Sequence, residues 1–185
     1  MFNNKEFILK KTIVALTLSA LFGVASAGVA TLEVDRVKID NTSLRYNAQY
    51  LNLDGKVNGV DMHLQARTAS LPNVGVTNSL ELTASKGFGA FSVFAGLGHD
   101  NGTKTVQSFD YGLVGASTGA RFGVVDTFVG VKTRVTGGSE QPKQTVVFAG
   151  ASMPLTKVFS LNFGASKSYQ TIKETAWGMS VSTKF

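Results

Sequence analysis

The last nine residues of the chain, 177–185, restrict its fold more than any other stretch. Trp177, Met179, Val181, Thr183 and Phe185 share one parity, and Gly178, Ser180, Ser182 and Lys184 share the other. Successive side chains of a strand point to opposite faces, so this segment has one apolar face and one polar face. A helical period near 3.6 would not keep apolar residues at every second position. About 9–11 residues are also enough for one tilted strand to cross a bilayer.

The opposite end of the chain carries an export pattern. Lys5, Lys10 and Lys11 form a basic start, 13–24 is mostly apolar, and Ala25-Ser26-Ala27 is a small-residue cleavage site. The apolar run is too short to span comfortably as an anchor, so 1–27 is expected to be a signal peptide that is removed. The mature chain, 28–185, then forms one domain. The chain has no Cys, which excludes a disulfide framework, thiolate chemistry and the lipid-anchored class of exported protein.

An exported chain that stops on an aromatic residue after an amphipathic strand resembles the small bacterial outer-membrane β-barrels, OmpA/OmpX-like and of porin-family type. In that family the closing strand ends in Phe and the assembly machinery reads that end. The resemblance implies a Gram-negative outer membrane as the location and outer-membrane lipid as the surroundings. It further implies periplasmic chaperones and the barrel-assembly machinery as partners, engaged through Trp177, Met179, Val181, Thr183 and Phe185. It supplies no functional residues.

The residues between the two ends fit such a barrel. After residue 27 no run of eighteen apolar residues occurs, yet the chain holds 20 Gly, 13 Phe and only 3 Pro. Barrels interleave lipid-facing with lumen-facing residues and never form a continuous apolar block. Alternation recurs in 43–50, 60–68, 79–85, 88–98, 107–117, 123–135 and 158–168, and less clearly in 144–152. In 30–39 the parity slips between Val34 and Val37, which suggests a bulge. Compact turns are expected at 54–59, 86–87, 118–120 and 153–156, alternating with longer links at 69–78, 99–105, 136–142 and 169–174. The fold expected is all-β: an antiparallel up-and-down transmembrane β-barrel of about ten strands. Eight strands with an N-terminal extension is the alternative.

The polar parity of these segments nominates a lumen network of Arg45, Asp61, His63, Arg67, Glu81, Asp110, Asp126, Lys132 and Arg134. Both signs occur, so internal ion pairs are expected rather than a single-sign conduit. Inward glycines at 96, 112, 130 and 164 would make room for these side chains. Charge reversal at Asp61 should then weaken folding, whereas Val129→Thr on the lipid face should do little. Tyr46, Tyr50, Phe88, Phe109, Tyr111, Phe122, Phe159, Tyr169, Trp177 and Phe185 are candidates for two aromatic girdles at the lipid–water boundaries.

Chemistry is sparse. The family's enzymes use His with Ser or Asp near the outer rim, and this chain has two His. His63 alternates with Asp61 and Gln65 inside a strand, where a lumen hydrogen bond is the simplest role. His99-Asp100 opens a loop, but Asn101-Gly102 beside it is ordinary turn chemistry and no Ser is placed as a nucleophile. No metal-ligand spacing and no phosphate-binding glycine motif occurs, so no metal or cofactor is expected. The net charge of +6 is scattered without a basic run, and an exported chain rarely meets nucleic acid. The sequence therefore points to a monomeric barrel with a structural or surface-interaction role and a lumen filled by polar side chains. A narrow pore is the alternative, and a lipid-modifying enzyme comes last.

Overall fold

Alternation carries through to backbone structure: in the computed structural model every alternating segment is a strand. The structure describes residues 28–72, 75–102, 108–136, 144–170 and 173–185, and the expected signal peptide, 1–27, lies outside them. The strands are β1 (Gly28–Ile39), β2 (Arg45–Val57), β3 (Val60–Leu71), β4 (Gly75–Phe88) and β5 (Phe91–Asn101), followed by β6 (Phe109–Phe122), β7 (Val125–Thr136), β8 (Gln144–Pro154), β9 (Phe159–Gln170) and β10 (Glu174–Lys184). Each pairs antiparallel with its sequence neighbours, and β1 also pairs with β10, which closes a ten-stranded barrel. Closure gives every strand two partners and leaves no edge of unpaired N–H and C=O groups.

The closing seam runs from Val29 opposite Lys184 to Ile39 opposite Glu174. It ends in two reciprocal bonds, Gly28 N to Phe185 O at 3.1 Å and Phe185 N to Gly28 O at 3.0 Å. A Cβ on Gly28 would overlap the Phe185 ring, so a glycine there lets the ring lie over the seam.

Two-residue links set the register at one rim. Asn58 and Gly59 both have positive φ (50° and 81°), the geometry whose twist matches a β-hairpin. The next two links are Gly89-Ala90 and Gly123-Val124, not 86–87 and 118–120 as the sequence suggested. Only Gly89 and Gly123 take the positive φ that these links need, while Gly87 and Gly119 remain in extended strands. At 155–158 the Thr156 hydroxyl accepts from Val158 N and Phe159 N. We call this end the turn rim. The opposite, loop rim carries 40–44 and the four other connections.

Contacts between non-adjacent strands identify the inner face. Glu81 on β4 touches Lys132 and Arg134 on β7, and Tyr46 on β2 touches Glu174 on β10. Such pairs meet only across the interior, and the registers carry that parity around the sheet. The suspected bulge in β1 is absent, because pairing is continuous on both sides from Val29 to Lys38. Val37 breaks the apolar-out pattern for another reason: it faces the lumen, packed with Tyr46, Ala48, Ala69 and Ala176.

The outward face is an apolar band bounded by polar residues toward the loop rim. On β1, Leu32 and Val34 give way to Arg36 and Lys38; on β9, Leu161 and Phe163 to Lys167; on β5, Val93 and Leu97 to His99. At the turn rim Phe88, Phe91, Phe122, Phe159 and Phe185 are exposed, and toward the loop rim Tyr169 and Trp177 are. These fit two girdles. Tyr46, Tyr50, Phe109 and Tyr111 do not belong to them, since register turns all four into the lumen.

Candidate functional site

The lumen holds the polar side chains that the fold brings together. At its centre the Glu81 carboxylate takes three donors: Lys132 Nζ at 2.7 Å, Tyr111 Oη at 2.8 Å, and Arg134 Nη2. Arg134 also donates to Gln144 Oε1 at 3.1 Å, and its guanidinium stacks 4.6 Å from the centre of the Tyr111 ring. Glu81 and Gly98 are opposite, and so are Gly98 and Tyr111. The Tyr111 ring lies across Gly98, where a Cβ would overlap it, and so reaches one strand further to the carboxylate. Gly115, Gly130 and Gly150 accept the rings of Phe94, Phe148 and Phe128 in the same manner.

A second group occupies the loop-side half. Tyr46 Oη donates to Glu174 Oε1 at 2.8 Å and accepts from Arg67 Nη2 at 3.1 Å, while the Arg67 guanidinium lies 6.0 Å from the Tyr50 ring centre. Below it, Gln65 donates to Asn52 and Asn52 to Glu33, at 2.8 and 3.1 Å. On the closing side Asn162 donates to Ser180 and Ser182, and Ser182 bonds Thr31. Buried polar groups in a low dielectric are costly unless bonded, so these bonds are what lets the charges stay inside, with Arg134 Nε left buried and without a hydrogen-bond partner.

The two halves of the bore differ. On the loop side, inward Val37, Tyr46, Ala48, Ala69, Tyr111 and Leu113 are nearly closed to solvent. On the turn side, Phe128 is 42% exposed, and a cavity of about 340 Å³ is lined in part by Asp54, Lys56, Asp61, His63 and Ser85. There His63 Nδ1 pairs with Asp54 at 2.6 Å and Lys56 with Asp61 at 3.3 Å, all four partly exposed.

Seven of the nine nominated residues point inward: Asp61, His63, Arg67, Glu81, Asp126, Lys132 and Arg134. Lys132, Arg134 and Glu81 form one cluster and Arg67 belongs to the second. Asp61 and Asp126 sit at the turn rim, where Asp126 lies 3.6 Å from Arg121. Arg45 and Asp110 must be corrected. In β2 the inward residues are Tyr46, Ala48 and Tyr50, so Arg45 points outward. In β6 they are Tyr111 and Leu113, so Asp110 points outward with its side chain 88% exposed, paired with His99 at 2.7 Å. The other nitrogen of His99 faces Asn101 Oδ1 at 3.1 Å. Gly112 likewise faces out, while Gly96, Gly130 and Gly164 face in. Sequence reading missed Glu33, Tyr46, Asn52, Asp54, Tyr111 and Glu174. For Tyr46, Asn52 and Asp54 a signal was available in the turn chemistry, because the Asn58-Gly59 hairpin sets Lys56 opposite Asp61 and Asp54 opposite His63.

No family model and no curated protein matches the chain. Among solved structures it is similar to the KdgM porin, at 11% identity and a TM-score of 0.51 over 84% of this chain and 99% of that one. A structure of the KdgM porin in complex with disordered oligogalacturonate aligns over the same shares at 11% identity with a TM-score of 0.50. This chain is a ten-stranded barrel that resembles those of bacterial outer membranes. The translocator domain of the autotransporter NalP from Neisseria meningitidis also aligns, at 11% identity and a TM-score of 0.49 over 98% of both chains. At these identities the likeness is one of fold.

Proposed function

We propose that this barrel is a resident of the Gram-negative outer membrane, OmpA/OmpX-like, serving envelope structure and surface contact with its bore closed by its own side chains. The near-complete burial of inward residues in the loop-side half carries this reading. A water-filled channel wets its lining, whereas Val37, Ala48, Ala69 and Leu113 are almost inaccessible. Glu81 with Lys132 and Arg134 ties β4 to β7 across the same bore. In this reading the chain loses 1–27 on export and reaches the membrane through periplasmic chaperones and the barrel-assembly machinery, which reads Trp177 to Phe185. It then stands as a monomer in outer-membrane lipid, binds no nucleic acid and performs no catalysis.

A narrow pore is the second reading, favoured by the open turn-side cavity and exposed Phe128. Planar-bilayer recording of the refolded protein separates the two. A silent bilayer supports the closed barrel, and discrete conductance steps overturn it in favour of the pore.

A further inference from the structure

Outside the lumen, one surface carries charge that its neighbours leave unbalanced. Arg36 and Lys38 on β1, Arg45 on β2, Lys167 on β9 and Lys173 in the β9–β10 link are all exposed. Lys38 stands directly opposite Arg45 across one ladder and opposite Thr175 across the next, and Thr175 is opposite Lys167. Like charges directly opposite one another destabilise a sheet. Among the described residues the one carboxylate in ion-pair reach of these five is Asp40, 3.6 Å from Lys167 and also bonded by Thr175 Oγ1 at 3.0 Å. Among the described residues an excess of four positive charges remains on this surface.

Its position is as informative as its sign. One step toward the turn rim the same strands turn Leu32, Val34 and Met179 outward, and Trp177 lies opposite Arg36. The cations therefore begin where the apolar band ends, beside an aromatic ring of the kind that favours the headgroup level. A free anion would meet only the charge. A lipid with a phosphorylated headgroup meets both surfaces, its chains on the apolar band and its phosphates on Arg36, Lys38 and Arg45. Guanidinium groups bind phosphate through two parallel bonds.

We propose that this patch binds the phosphates of an anionic lipid headgroup in the leaflet at the loop rim. The proposal rests on the membrane-spanning reading above. The test uses the refolded barrel in nanodiscs of phosphatidylcholine containing bisphosphorylated lipid A, with retained lipid counted by native mass spectrometry. The triple variant Arg36→Gln/Lys38→Gln/Arg45→Gln is compared with Lys86→Gln, an exposed outward cation near the turn rim. The wild type and Lys86→Gln should retain the lipid. The triple variant should lose about a hundredfold in affinity, from roughly a factor of five for each basic side chain at an anionic surface. In pure phosphatidylcholine the triple variant should be at least as stable as the wild type, because the opposed Lys38 and Arg45 charges are gone; lipid A should reverse that order. Equal retention by the triple variant overturns the proposal. So does stripping of the lipid by millimolar inorganic phosphate, which would mark a site for free phosphate. A chain that never enters the nanodisc overturns the membrane reading itself, whereas one that inserts without selecting lipid A overturns only the patch.

Discussion

Glu81→Gln is the sharpest test of the lumen network. The carboxylate is buried, and it compensates two cations whose own side chains are only 16% and 21% exposed. A unit pair about 4 Å apart is worth about 4 kcal/mol at an effective dielectric of about 20. Removing one partner of a buried pair typically costs about 3–5 kcal/mol, because the other charge is left without compensation. Gln keeps the size and one acceptor but turns an amide toward Lys132 or Arg134, so a loss of about 3 kcal/mol is expected. The assay is urea unfolding in lipid vesicles. It is followed by the fluorescence of Trp177, the chain's one tryptophan, which faces outward and reports departure from lipid. Gel heat-modifiability serves as a second probe. Replacing all three charges together, Glu81→Leu with Lys132→Met and Arg134→Met, should recover most of the loss. An unfolding midpoint for Glu81→Gln that matches the wild type would refute the reasoning, since it would mean that water already compensates these cations.

Other sites should respond in proportion to their surroundings. Asp61→Lys, expected from sequence alone to weaken folding, should cost less than about 1 kcal/mol by the same unfolding assay, because the Lys56–Asp61 pair sits at the rim with both side chains more than half exposed. Val129→Thr on the outward face should also cost less than about 1 kcal/mol, since a threonine there can bond the backbone as Thr127 does with Ala120 O. Gly98→Val should lower stability by about 1–3 kcal/mol by displacing the Tyr111 ring, and Tyr111→Ala in that background should cost little more. Phe185→Ala, which keeps the two backbone bonds to Gly28, should slow membrane assembly in cells, measured by pulse-chase heat-modifiability, while leaving folding into pure vesicles nearly unchanged. Equal loss in both settings would make Phe185 a purely structural residue.

Strand number and closure were legible because period-two alternation survives wherever an apolar outer face opposes a polar lumen. Parity was legible only where the two faces differ in kind. In β7, Val129 and Val131 against Lys132 and Arg134 leave no choice. In β2 and β6 the inward residues include Tyr46, Tyr50, Tyr111 and Leu113, which by hydropathy look like a lipid face. A tyrosine ring suits either place, and its hydroxyl decides only when a partner such as Glu81 or Glu174 is known. Those partners lie 30 and 128 residues away in sequence, beyond any local pattern. Propagating register from Asn58-Gly59 would have settled β2. The same step at β6 needed the link at Gly123-Val124, which the glycine at 119 obscured.

The seam at Gly28 and Phe185 has a consequence for how the chain must be made. The first strand finds its second neighbour only in the last, so half a wall is an open sheet with greasy flanks and a bare border. Contacts of such long sequence separation form slowly. The polypeptide therefore has to be kept from collapsing until β10 has emerged, and the cylinder is complete only when β1 and β10 clasp.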